Sequence, residues 1–334
     1  MSFSIKHRAW WRGVVMTLVA LGSIALLPSH DASAATTPAI SDTVKLNITR
    51  SDGFLHPAIS VDPSQFQNTR DELAAGKQPW TTYYQGMLES PYASTTFQAA
   101  NLKTGTFDTP KDATFTSFGQ EDPLSADGFR AYTQAILYYL TGNSQYRYNA
   151  IRLVRIWENM DPNGFKYYAD AHIHAPVPFY YLVSAAELLK YTSVTTPTYT
   201  DDQGNTVQLA WTDTDNSKLI NNLIDPLTSK LLIKIKDQYL AQHLYPLTGA
   251  LAGAIFKDDR AAYNDYVEQT FINANSNRPY INGAINNMFH QMTADDPRNP
   301  VGVDFIQHLE MGRDANHSKD DIFCPPVYNS SATP

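Results

Sequence analysis

The chain has 334 residues, with 25 Lys and Arg against 33 Asp and Glu, a formal net charge of −8 and one cysteine, Cys324. An acidic body argues against nucleic acid as a partner, because phosphate binding needs a basic face. A lone cysteine excludes an internal disulfide, so packing and buried hydrogen bonds must hold the fold together.

At the start, Lys6, Arg8 and Arg12 precede an apolar run from Gly13 to Pro28, and Ala32-Ser33-Ala34 is a small-x-small cleavage site. This order predicts a signal peptide over 1–34, a mature chain beginning at Ala35, and a secreted or periplasmic destination. The other reading, an N-terminal membrane anchor, is disfavoured because the run is short for a spanning helix of roughly 20 residues. No membrane association is expected after cleavage. Cleavage removes three basic residues and the acidic Asp31, taking the formal charge from −8 to −10.

Residues 35–53 read as a small, polar linker followed by a short strand, with Val44, Leu46 and Ile48 alternating over Thr43–Thr49. After His56-Pro57, Asp62 caps a helix with Pro63 at its first position, Phe66, Leu73 and Ala74 on one face and Gly76 at its end. Pro79-Trp80 opens a second helix to about Leu88. Residues 91–124 lack a period and read as a long ordered loop. Ser125 then caps a helix that Thr141-Gly142-Asn143 breaks, and Ser144 starts another through Trp157, which predicts an antiparallel αα-hairpin. Further helices are expected over 179–191, 217–239, 247–256, 259–274, 281–292 and 303–322. Between them, Asp202-Gln203-Gly204-Asn205 lies between two Thr- and Val-containing runs within Thr198–Trp211, a hairpin signal.

Counting about nine or ten helices gives an all-α chain with minor strand and β-hairpin elements. Successive helix pairs suit an α/α toroid or incomplete α/α barrel over 54–322, whose inner-helix ends form a cleft. Residues 323–334 have a disordered composition, and the helix count is low for a closed toroid, so truncation relative to a complete domain is expected.

No G-x-S-x-G, Walker loop, G-x-G-x-x-G or H-E-x-x-H occurs, which lowers the odds of serine-elbow hydrolase, nucleotide and zincin chemistry. Three polar clusters remain. Asp170-Ala171-His172-Ile173-His174-Ala175-Pro176 puts two histidines on one side if the backbone is extended. Gln242-His243-Leu244-Tyr245 stands at the open end of an apolar helix, where free N–H groups and the dipole favour an anion. Glu310-Met311-Gly312-Arg313-Asp314-Ala315-Asn316-His317 puts Arg313 and His317 four apart on a helical face, with Glu310 able to brace Arg313. Each also has an ordinary reading, as hydrogen-bonded loop, helix cap or solvated face.

The second and third clusters resemble elements of the alginate lyase family. Gln242, His243 and Tyr245 fall where an Asn-His-x-Tyr element has amide, histidine and tyrosine, with Gln242 replacing asparagine. Glu310, Gly312, Arg313, Asp314 and His317 match a Glu-x-Gly-Arg-Asp-Gln-x-His element. His56-Pro57, Pro79-Trp80, the stretch from Ala131-Tyr132 to Thr141-Gly142 and Phe256-x-Asp258-Asp259-Arg260 are similar too, so the resemblance spans roughly 54–322. It implies β-elimination on a uronic-acid polysaccharide. Gln242, His243 and Arg313 would neutralise the substrate carboxylate, Tyr245 or His243 would act as base and a tyrosine as acid. His172, His174, His317 and Glu310 would line the cleft. Neither a metal nor an organic cofactor is required. Two other classes stay open: a toroidal glycoside hydrolase using two of Asp127, Asp170 and Glu310, and a non-catalytic carbohydrate-binding protein.

The export reading has a direct check. N-terminal sequencing of protein secreted by its native host is expected to start near Ala35, and retention of Met1 would refute it.

Overall fold

The structure, a computed structural model, describes residues 37–114, 121–168, 170–233, 241–271, 289–292, 295 and 305–308. The fold is mainly helical with small two-stranded ribbons. No helix among the described residues is long and apolar enough to cross a membrane.

The first ribbon pairs β1 (Thr49–Ser51) with β2 (Phe54–His56), Thr49 opposite His56 and Ser51 opposite Phe54. Asp52 and Gly53 take φ of 45° and 81°, the left-handed pair that a tight hairpin turn needs. The strand expected over Thr43–Thr49 does not form. Val44 is buried and Leu46 makes one bridge to Thr192, but Ile48 is 58 % exposed. The Asp52-Gly53 turn sets the register instead, and the ribbon straddles the expected boundary at residue 53. The segment read as linker lies docked from Thr37 onward: Ser41 N donates to the Leu140 carbonyl, Asn47 N to that of Tyr191, and the Tyr84 hydroxyl to that of Pro38.

Helix α1 (Pro63–Ala74) begins as its sequence predicts. The Asp62 carboxylate accepts from Ser64 N and Gln65 N, and Gln65 reaches back to the Asp62 N–H. Phe66 and Leu73 are buried; Ala74 is exposed, and Arg70 takes the inward position, donating to the Val44 carbonyl and lying over Tyr139. Helix α2 (Trp80–Glu89) follows Pro79. The long loop carries a 3₁₀ turn at Pro91–Ala93. Helix α3 (Glu121–Thr141) starts four residues before the expected Ser125 cap, and α4 (Ser144–Glu158) is capped by Asn143, whose side chain accepts from Gln145 N. Pro123 sits in the first turn of α3, where its missing N–H costs nothing, so the helix extends N-terminally past Ser125.

A one-turn helix α5 (Ala171–His174) leads into α6 (Pro176–Lys190). The expected hairpin then forms, β3 (Thr198–Thr200) on β4 (Thr206–Gln208). Thr212 caps α7 (Asp213–Leu219), and the chain continues through a π-turn at Ile220–Ile224, α8 (Asp225–Leu227) and a second π-turn at Thr228–Leu232. The helix expected over 217–239 therefore begins earlier and is irregular around Pro226, which lacks the N–H that a regular ladder needs. Helix α9 (Ala241–Phe256) begins six residues before the expected Leu247, and α10 (Arg260–Phe271) follows a short turn. Phe289–Met292 (β5) and Phe305–His308 (β6) pair antiparallel, where the helices 281–292 and 303–322 were expected. Phe289, Phe305 and Ile306 are residues that suit a pleated strand. Cys324 and the tail lie outside the described residues.

Buried polar groups lock the helices. Arg147 on α4, 1 % exposed, donates to the carbonyls of Leu209 and Leu189 and to Thr192 Oγ1. Its three acceptors are neutral, and burial brings its pKa down to about 10. Arg155 donates to both oxygens of Asp215 at 2.8 and 3.1 Å. Neighbouring Glu158 is pushed up to about 9, first by burial and then by the Asp215 charge, so it is neutral at pH 7 and Asp215 keeps its charge for Arg155.

His56 is fully buried between Glu187 of α6 (Nδ1–Oε1 2.7 Å) and Asp258 of the α9–α10 turn (Nε2–Oδ1 2.8 Å), and stacks on Tyr191 at 4.8 Å. Glu187 Oε2 accepts from Ala58 N and Ile59 N. Burial alone would lower the pKa of His56, but hydrogen bonds and charge from the two carboxylates outweigh it and raise the value. The raised pKa makes the bridge stabilising in full below the ordinary histidine value of about 6.5, and that stability is lost as pH rises through the folded-state value. Urea denaturation should show His56→Ala less stable by about 3–5 kcal/mol at pH 6, with a smaller deficit at pH 8.

Candidate functional site

Three helices run in the same sense. Gly128 of α3 abuts Pro178 of α6 so closely that a Cβ would lie 2.5 Å from the Pro178 carbonyl oxygen. Further along, the Tyr138 hydroxyl of α3 donates to the Ser193 carbonyl just past α6. On the other flank, Gly249 of α9 faces Pro176 and Phe179, and Lys190 at the end of α6 lies 4.9 Å from the Phe256 ring centroid. Thus α3, α6 and α9 are codirectional, while α4 runs against them, with Arg147 near the α6 C-terminus and Trp157 at Asp127 in the first turns of α3. The N-terminal turns of α3, α6 and α9 share one end, where their dipoles favour negative charge.

The His172–His174 cluster lies at this end. It is a helical turn, not the extended backbone that would align its histidines. Residues two apart on a helix point to different sides, and here His172 is 8 % exposed whereas His174 is exposed. The His174 Nδ1 and the Tyr168 hydroxyl share a hydrogen bond at 2.7 Å. Asp170 precedes the turn, exposed and without a side-chain capping bond.

Helix α5 packs on α9, the helix whose first turn carries the backbone of the second sequence cluster. The backbone of Gln242 and His243 forms the first turn of α9, Tyr245 follows with 40 % exposure, and Pro246 stands inside the helix. Pro246 has no N–H to give the Gln242 carbonyl. The side chains of Gln242 and His243 lie outside the described residues, as do Glu310, Arg313 and His317 altogether. The helix expected to carry the last three is strand at Phe305–His308.

Where α3 meets α6, Tyr92, Phe129, Tyr181 and Tyr132 form a continuous half-buried aromatic cluster, with Phe129–Tyr181 centroids 4.8 Å apart. The Tyr132 hydroxyl is bonded to Ser60 Oγ and its pKa is raised by burial. Arg130 lies 4.2 Å from the Phe97 centroid and 5.9 Å from that of Tyr92, and among the described residues its guanidinium makes no hydrogen bond. Burial lowers its pKa. A half-desolvated guanidinium on aromatic rings suits a carboxylate ligand. Sequence reading missed Arg130 and Tyr168; the only local signals are Phe129-Arg130 beside an aromatic run and Tyr167-Tyr168 ahead of the histidines.

Asp127 does not resemble a catalytic acid. Its oxygens accept from Ala100 N at 2.7 Å, Asn101 N at 3.0 Å and Trp157 Nε1 at 3.0 Å, and burial pushes its pKa up against these donors. Among the described residues, no group of His, Cys, Asp and Glu side chains is arranged to hold a metal ion. Asp127→Ala would strand three donors, two of them buried, so chemical denaturation should show a loss of at least about 2 kcal/mol; a fully stable variant would refute the structural role.

Comparison of the chain with family models, with curated proteins and with solved structures finds no match.

Proposed function

We propose that this chain is a secreted polysaccharide lyase that cleaves a uronic-acid polysaccharide by β-elimination, on an incomplete α/α toroid with α3, α6 and α9 as inner helices. The observation that supports this reading is the packing of the His172–His174 turn on α9, the helix that opens with Gln242, His243 and Tyr245. The aromatic cluster and Arg130 add stacking surface and a cation for a sugar acid.

Elimination requires that the substrate carboxylate be neutralised, because the C5 proton is otherwise too weakly acidic. A base then takes that proton, the electron pair forms the C4–C5 double bond, and O4 departs and is protonated. In this scheme Gln242, His243 and Arg313 bind the carboxylate, and Arg130 joins them. Tyr245 or His243 is the base, and a tyrosine returns the proton. His172, His174, His317 and Glu310 line the cleft. The hydrolase alternative is less well supported, since Asp127 is engaged by three structural donors.

Purified protein incubated with a panel of uronate polysaccharides should generate ultraviolet-absorbing unsaturated ends. His243→Ala and Tyr245→Phe should each lower the rate by about 10²–10⁴-fold, while Arg313→Ala and Arg130→Ala should chiefly raise KM. Chain cleavage without ultraviolet absorbance would establish hydrolysis instead, and saturable binding without cleavage would establish a binding protein.

A further inference from the structure

A second recess lies over α4. It has a volume of about 630 Å³, bounded by the 97–107 loop, one stripe of α4 and the turn between β3 and β4. Asn149, Arg152, Leu153 and Ile156 form its floor, spaced at the i, i+3, i+4, i+7 positions of one helical face. Its volume falls within the range of small-ligand sites.

The polar groups around it are amides and one compensated cation. Arg152 donates to Asp108 Oδ1 at 3.1 Å and to the Tyr148 hydroxyl at 3.2 Å, and lies 4.0 Å from the Phe107 centroid. Its Nη2 has no hydrogen bond among the described residues. Asn149 donates to Thr95 O and to Gln134 Oε1, and its Oδ1 makes no hydrogen bond among the described residues. Asn205 donates to Asp201, and its Oδ1 likewise makes no hydrogen bond among the described residues. The side-chain amides of Gln98 and Gln203, on opposite rims, make no hydrogen bond among the described residues. Phe97 and Phe107 add flat apolar surface, and Phe107 is 37 % exposed.

We infer that this recess binds a neutral sugar unit of an oligosaccharide. Hydroxyl groups both donate and accept, which matches the mixture of unused amide oxygens, amide N–H groups and one guanidinium arm. Sugar C–H faces match the two phenylalanines. Among the lining residues the one cation, Arg152, is compensated by Asp108, and no lining residue is a carboxylate that could take an amine. The inference is separable from the lyase reading, because the recess touches that scheme only at Phe97, on which Arg130 lies, and the variants used in the test leave Phe97 and Arg130 in place.

The test is calorimetric titration of the full mature chain with neutral hexasaccharides of glucose, xylose and mannose, and with an oligouronate. At least one neutral sugar is expected to bind with a dissociation constant of about 1 mM or tighter. The Phe107→Ala, Gln203→Ala double variant should weaken that binding by about tenfold or more without moving the thermal midpoint. Gln203→Ala alone, an exposed turn position, serves if the double variant is unstable. His243→Ala should bind the neutral sugar as the parent does. Absence of binding by all three neutral sugars, binding of the oligouronate alone, or binding unchanged in the variants would each overturn the inference.

Discussion

The arrangement depends on one buried imidazole. His56 sits at the end of the first hairpin and joins Glu187 on α6 to Asp258 after α9, so three distant pieces of chain share a single side chain. An uncompensated ion in that position would be costly, but the two carboxylates, the Tyr191 ring and the backbone donors of residues 58 and 59 complete its surroundings. The bridge holds the C-terminal part of α6 beside the exit of α9. With those ends fixed, the opposite ends of α6 and α9 must also lie side by side, which is where the candidate chemistry is collected.

Other polar anchors follow the same logic. Asp127 joins the irregular 100–101 segment to both α3 and α4, and Arg147 ties α4 to the end of α6 and to the residue after β4. Each is almost wholly buried and each has several partners. A chain without disulfides thereby fixes its long loops through hydrogen-bonded side chains whose loss would leave several groups unsatisfied at once. This explains how the 91–114 segment stays ordered with little regular structure of its own.

Local chemistry made much of the fold legible. Asp62-Pro63, Thr141-Gly142-Asn143 and the Asp202–Asn205 turn act through neighbours a few residues away, and each formed where the sequence places it. The misplaced elements depend on distant contacts or on exceptions to regular periodicity. Val44 and Leu46 alternate like a strand but are buried by docking onto helices. The π-turns flanking α8 break the helical period, and the strands Phe289–Met292 and Phe305–His308 replace expected helix because segments of four mixed residues carry too short a pattern to separate the two periods. At the candidate site, His172, His174 and Tyr245 were evident as unusual polar residues beside apolar helices. The backbone geometry of the histidine pair was not, because one helical turn and an extended segment are indistinguishable over four residues. Arg130 makes no hydrogen bond among the described residues, whereas Asp127 accepts from three donors, and no spacing in the sequence encodes that difference.

Pro246 divides α9 in a way that its continuous outline conceals. The Gln242 carbonyl faces a residue with no hydrogen to offer, so the leading turn is fastened to the rest of the helix by one rung fewer than usual. The apolar remainder is wedged against Pro176, Phe179 and Leu232, and it stays put whatever the leading turn does. Local opening of that turn is correspondingly cheap. The turn bearing Gln242 and His243 is therefore joined to the rest of α9 more weakly than an unbroken helix would join it.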